Sequence, residues 1–116
     1  MAFGFNNGNL QADKLNDYKF WMGTSETDSG VATFNPTEDG TPSGRAIFLS
    51  IVGLNIVVSR DTSSAIQVPF AALKSISQDF KELIFNIVNG TTLLALGNTI
   101  VEAPDGLTVY LQLWGT

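Results

Sequence analysis

Arg45–Asp61, RAIFLSIVGLNIVVSRD, is the densest apolar run in the chain, and its reading decides what everything else must pack against. It is rich in β-branched residues, which suit a pleated, half-buried backbone better than a helix. Gly53 divides it. The pattern predicts two buried strands, Ala46–Val52 and Asn55–Ser59, meeting at a tight turn.

Downstream, the punctuation continues in the same style. Asp61–Ser64 reads as a turn and Ala65–Val68 as a short strand, which Pro69 restricts to a sheet edge or a strand end because proline cannot donate to a ladder. Phe70–Ser77 reads as a short helix or turn, although Lys74–Phe80 also fits a strand. KELIFNIV and TTLLALG flank Asn89–Gly90, a pair that tolerates positive φ at both turn centres, so a type I′ hairpin is expected there. Thr99–Glu102 is another short strand, and Ala103–Pro104–Asp105–Gly106 a turn. The final LTVYLQLW alternates strictly. Leu107, Val109, Leu111 and Leu113 fall on one face, Thr108, Tyr110, Gln112 and Trp114 on the other, and the first set belongs in a core. Together these segments predict an all-β fold: a small antiparallel sandwich or barrel of six to seven short strands.

Upstream the composition changes near Gly44. Residues 1–44 hold 14 apolar residues and two basic against six acidic side chains; residues 45–116 hold 37 apolar residues and four basic against five acidic ones. Only the second part has enough apolar surface to offset its ordering entropy. The expected organisation is an extended N-terminal arm and loop over 1–44 followed by a β domain over 45–116. Within the arm, Asn9–Met22 has the spacing of a short helix, with Leu15, Tyr18 and Met22 on one side. Gly23–Gly44 is loop chemistry around one short strand, Val31–Phe34. Order in such a segment has to come from its own domain or from a neighbouring chain.

Several functions are disfavoured by residue type. With 116 residues the chain is one domain. Its net charge of −5 lacks the basic footprint that displaces phosphate counterions, so no nucleic-acid binding is expected. No membrane span is expected, since no window approaches the roughly 18 consecutive apolar residues one needs, and MAFGFNNGNL has no signal-peptide pattern. Without cysteine there is no disulfide or thiol chemistry, which fits a reducing compartment. Without histidine the usual general base and the nucleophile–histidine systems are missing. No enzyme activity, cofactor or metal is expected. The carboxylate pairs Glu26/Asp28, Glu38/Asp39 and Asp79/Glu82 sit in polar turns, where neither member is desolvated as a glycosidase acid requires. SETDSG and TEDG cluster oxygens but lack the spacing of a calcium loop.

The aromatic residues are what remains. Tyr18, Trp21, Tyr110 and Trp114 fit core packing, a protein interface or a sugar-stacking platform, because large amphipathic rings serve all three. Tyr110 and Trp114 lie on the face of the last strand opposite the core, and so face a second layer or a partner.

In the arm MAFGFNNGNLQADKLNDYKFWMG, the loop GTSETDSGVATFNPTEDGTPSG and the β-rich remainder ending TVYLQLWGT, the chain resembles head cement, decoration and other small virion proteins of tailed bacteriophages. That resemblance implies synthesis in the host cytoplasm, localisation to the virion, homo-oligomerisation and binding across neighbouring capsid subunits through the arm, with Phe3, Phe5, Tyr18, Phe20 and Trp21 as anchors. An arm of this kind adds strand pairing and aromatic contacts without needing its own core. A carbohydrate- or cell-surface-binding β module, using Trp21, Tyr110 and Trp114, is the alternative; a PH-like barrel around VPFAALKSI ranks behind both.

Overall fold

The computed structural model describes residues 18–59, 67–93 and 97–116. These residues form seven strands: β1 Lys19–Glu26, β2 Val31–Phe34, β3 Ile51–Val58, β4 Gln67–Ile76, β5 Leu83–Leu93, β6 Gly97–Glu102 and β7 Thr108–Gly115. They make two antiparallel sheets. One has the order β1–β7–β3. The other is centred on β5, with β4 along one side and β2 and β6 in tandem along the other. The expected all-β sandwich is what the chain forms.

β7 and β5 are the central strands of their sheets, and each turns alternate side chains into the core. Val109, Leu111 and Leu113 of β7 face Leu83, Phe85 and Ile87 of β5 across the core, all at most 2 % exposed. Each such side chain contributes roughly 1.5–3 kcal/mol of burial relative to exposure. Ala32, Phe34, Phe48 and Ala103 complete the buried cluster. β5 is long because two strands dock on one side of it in succession. The change of partner falls at Ile87, whose N–H donates to the Gly30 carbonyl (2.8 Å) and whose carbonyl accepts from the Ala103 N–H (3.1 Å).

The chain crosses between sheets at a corner built on Thr27. A two-residue turn at Ser29–Gly30, φ 53° and 76°, joins β1 to β2 and is closed by reciprocal Asp28–Val31 bonds. Thr27 is buried and ties this corner to the β6–β7 turn. Its N–H donates to the Leu107 carbonyl (2.9 Å), and its hydroxyl donates to the Pro104 carbonyl (2.6 Å) and accepts from the Leu107 N–H (2.9 Å). The β4–β5 connection is organised by Ser77, whose hydroxyl accepts from the Lys81 and Glu82 amides and donates to Asp79. Phe80 takes a positive φ of 58° in that turn, held there by packing against the core.

Several expectations are corrected. Arg45–Asp61 is not a hairpin of buried strands. Ile51–Val58 is one edge strand, and Gly53 marks a register irregularity against β7 rather than a turn. Glycine suits that position because the Trp114 ring occupies the space a Cβ would fill. Asn89–Gly90 is likewise not a hairpin turn. It lies inside β5, with Asn89 fully buried and Gly90 beneath the Phe70 ring, and β5 pairs with β6 from Val88↔Glu102 to Leu93↔Gly97. Phe70–Ser77 is neither helix nor turn: Phe70–Ile76 belongs to β4, where Pro69 is accommodated because β4 is an edge strand. The C-terminal part of the expected Asn9–Met22 helix is strand from Lys19 onward, and its earlier part lies outside the described residues. The boundary at residue 44 does not separate arm from domain, since β1 pairs with β7 and β2 with β5.

Candidate binding face

β7 is flanked on both sides, so its outward side chains sit in the middle of rows three residues wide. The registers define three rows: Thr24–Tyr110–Val57, Met22–Gln112–Asn55 and Phe20–Trp114–Gly53. Neighbouring strands lie about 4.8 Å apart and successive rows about 6.8 Å apart. None of the nine residues is charged. Phe20 and Met22 are 62 % and 72 % exposed, and Val57 and Tyr110 are about half exposed. A groove of about 390 Å³ runs over the first two rows, lined by Met22, Thr24, Asn55, Val57, Tyr110 and Gln112. Its walls are largely apolar, with two side-chain amides and two hydroxyls as polar fixtures, the usual make-up of a binding groove.

Two glycines shape this sheet. Trp114 covers Gly53 on the outer face. Trp21 covers Gly23 on the inner face and meets Phe34 edge-on at 6.3 Å, which in turn meets Phe85 edge-on at 5.9 Å. Both glycines are on edge strands, where an aromatic ring replaces the missing side chain.

The residues singled out from sequence therefore separate. Tyr110, Trp114 and Phe20 come together on the outer face. Trp21 is turned into the core and does not join them. Tyr18 is half-buried just ahead of β1. Phe3 and Phe5 lie outside the described residues. Alternation of the last strand already sets Gln112 beside Tyr110; the residues missed were Met22, Thr24, Asn55 and Val57. Alternation along Lys19–Glu26 places Met22 beside Phe20, but the partners of Tyr110 follow from strand register, which no local pattern in this chain encodes.

Glu26 stands at the end of this face, opposite Thr108 and one row beyond Thr24–Tyr110. Asp39 lies below the ordinary carboxylate range because it accepts from the Thr41 amide (3.0 Å) and the Thr41 hydroxyl (2.8 Å). Asp79 is lowered by the Ser77 hydroxyl (2.7 Å) and then by the Lys81 amide (3.2 Å). Hydrogen bonds of this kind stabilise the charged form. Glu38 approaches Arg45 at 3.9 Å on the surface, a pair of little energetic weight. Among the described residues no group of three metal-ligating side chains gathers, and no helix is long and apolar enough to cross a membrane.

No protein-family model matches the chain, and no curated protein or solved structure is significantly similar to it.

Proposed function

We propose that this chain is a non-enzymatic structural protein of a macromolecular assembly, a bacteriophage capsid cement, decoration or minor virion protein that binds a neighbouring subunit and stabilises the particle. The observation that carries this reading is the outer face of β1–β7–β3: nine uncharged positions, with Phe20, Met22, Val57 and Tyr110 exposed around a groove. Large apolar side chains gathered on one sheet face, rather than scattered singly, mark an interaction surface. The absence of histidine and cysteine from the chain supports binding over chemistry. The anchoring role moves from the arm to this face: Phe20 keeps it, Trp21 loses it, and any share of the segment before β1 rests with residues 1–18. Particles purified from the system that encodes the chain are expected to contain it in fixed stoichiometry, and Met22→Lys is expected to remove it from them. A chain absent from such particles contradicts the proposal.

A second reading is favoured by the groove itself. Tyr110 offers a ring face, and Asn55, Gln112 and Thr24 offer neutral hydrogen-bonding groups, a combination suited to an uncharged carbohydrate. Glycan-array binding by the isolated chain, lost in Tyr110→Ala, selects this reading over the first.

A further inference from the structure

The two sheets do not close equally on their two sides. β3 and β4 are edge strands packed against each other on the same side of the sandwich. Leu54, Leu73 and Ile76 on these strands point inward, directly opposite the buried Leu113, Phe85 and Leu83, yet they are 37–46 % exposed. The core is therefore open along this side. Val52, Val57 and Phe70 add exposed apolar surface on the same two strands.

The two edges are also treated differently. β4 carries devices that discourage strand addition: Pro69, which has no N–H, and Lys74 at a register irregularity between Leu73 and Ser75. β3, IVGLNIVV, carries no charge and no proline, and beyond its irregularity at Ile51/Gly53 it runs regularly to Val58. Among the described residues no strand pairs with its outer side. An exposed, regular, apolar edge of this kind is a template for another strand.

We infer that β3 is a self-association edge, on which the β3 of a second copy pairs antiparallel about a two-fold axis, joining the two three-stranded sheets into one of six. Charge favours a second copy as the occupant. The chain carries a net charge of −5, so repulsion between two copies is weakest where the acids are absent. Neither β3 nor β4 carries an acidic residue, and Lys74 is their one charge. A two-fold axis also sets each copy's Leu54 and its open core beside those of the other, an isologous arrangement in which one patch serves both partners. This inference concerns an edge, not the outer face, and it stands or falls separately from the proposed function.

The test is sedimentation equilibrium of the full chain over a dilution series, with amide hydrogen exchange at both ends of the series. The expected result is a single monomer–dimer equilibrium, twice the 12.5 kDa chain mass at high concentration, with the β3 amides that point away from β7 protected only in the dimer. Val52→Lys and Leu54→Lys are expected to weaken the dimer at least about ten-fold, because each brings a charge from both copies into an apolar seam. Val52 is exposed, so its variant is expected to keep the wild-type circular dichroism and melting temperature. Met22→Lys, on the outer face, is expected to leave the dimer intact. A chain monomeric throughout, open-ended polymers, or a dimer whose β3 amides exchange freely and which survives Val52→Lys would each overturn the inference.

Discussion

The indole of Trp114 lies over Gly53, its direct cross-strand partner in the β3–β7 ladder, and fills the space where any other residue would carry a Cβ. Trp21 does the same for Gly23 on the opposite face of the same sheet. One pair shapes the outer surface and the other belongs to the core.

Alanine at these two glycines is therefore expected to act differently. Gly53→Ala displaces the partly buried Trp114 ring and is expected to cost about 1 kcal/mol, near the lower end for overpacking. Gly23→Ala drives Trp21 against Phe34 and is expected to cost about 2–3 kcal/mol. Denaturant unfolding gives both values, and tryptophan emission reports the displaced ring. Equal and negligible effects would show that neither ring is held as described.

Thr27 satisfies two part-buried backbone groups at the corner between the sheets, so removing its hydroxyl leaves both without those bonds. Thr27→Val keeps the shape and is expected to cost about 1–3 kcal/mol, since each of the two lost hydrogen bonds contributes about 0.5–1.5 kcal/mol. Thr27→Ser keeps the hydroxyl and is expected to recover most of the loss. A Thr27→Val protein as stable as wild type in thermal unfolding contradicts this role.

Asp39 and Asp79 both have folded-state pKa values below the ordinary 3.8. A carboxylate depressed on folding contributes stability that is present above its unfolded pKa and is lost as the pH falls through the folded value. Melting temperature is thus expected to be insensitive to these two groups near neutrality and to drop below about pH 4, the unfolded-state range for aspartate. In the double variant Asp39→Asn, Asp79→Asn the acid-side slope is expected to be shallower. An unchanged slope would place the acid sensitivity elsewhere.

What could be read from the sequence depended on how far each signal reaches. The strict alternation of LTVYLQLW placed Val109, Leu111 and Leu113 in the core, because a period of two is a property of the strand itself. Val31–Phe34 and the turn before β7 were legible for similarly local reasons. Asn89–Gly90 misled because the dipeptide permits a turn without requiring one. Gly90 is needed where the Phe70 ring lies over β5, a contact across strands. Gly53 misled in the same way, through Trp114. Residues 19–34 looked too polar to fold alone, yet they do not fold alone. β1 is held by the last strand of the chain and β2 by β5, contacts 49 to 96 residues away in sequence. The outer face was half legible: Tyr110 and Trp114 were read onto it, but Met22, Asn55 and Val57 join them only through register.

The central claim is that the outer face of β1–β7–β3 is exposed in order to bind, not to stabilise the fold. The most direct measurement compares Met22→Lys with the wild type in two assays, thermal unfolding of the isolated chain and retention on purified assembled particles. Substitution of an exposed residue is expected to change stability by no more than about 0.5 kcal/mol, while retention on the particles is lost. A variant retained on the particles as well as the wild type, with its fold equally stable, would contradict the claim.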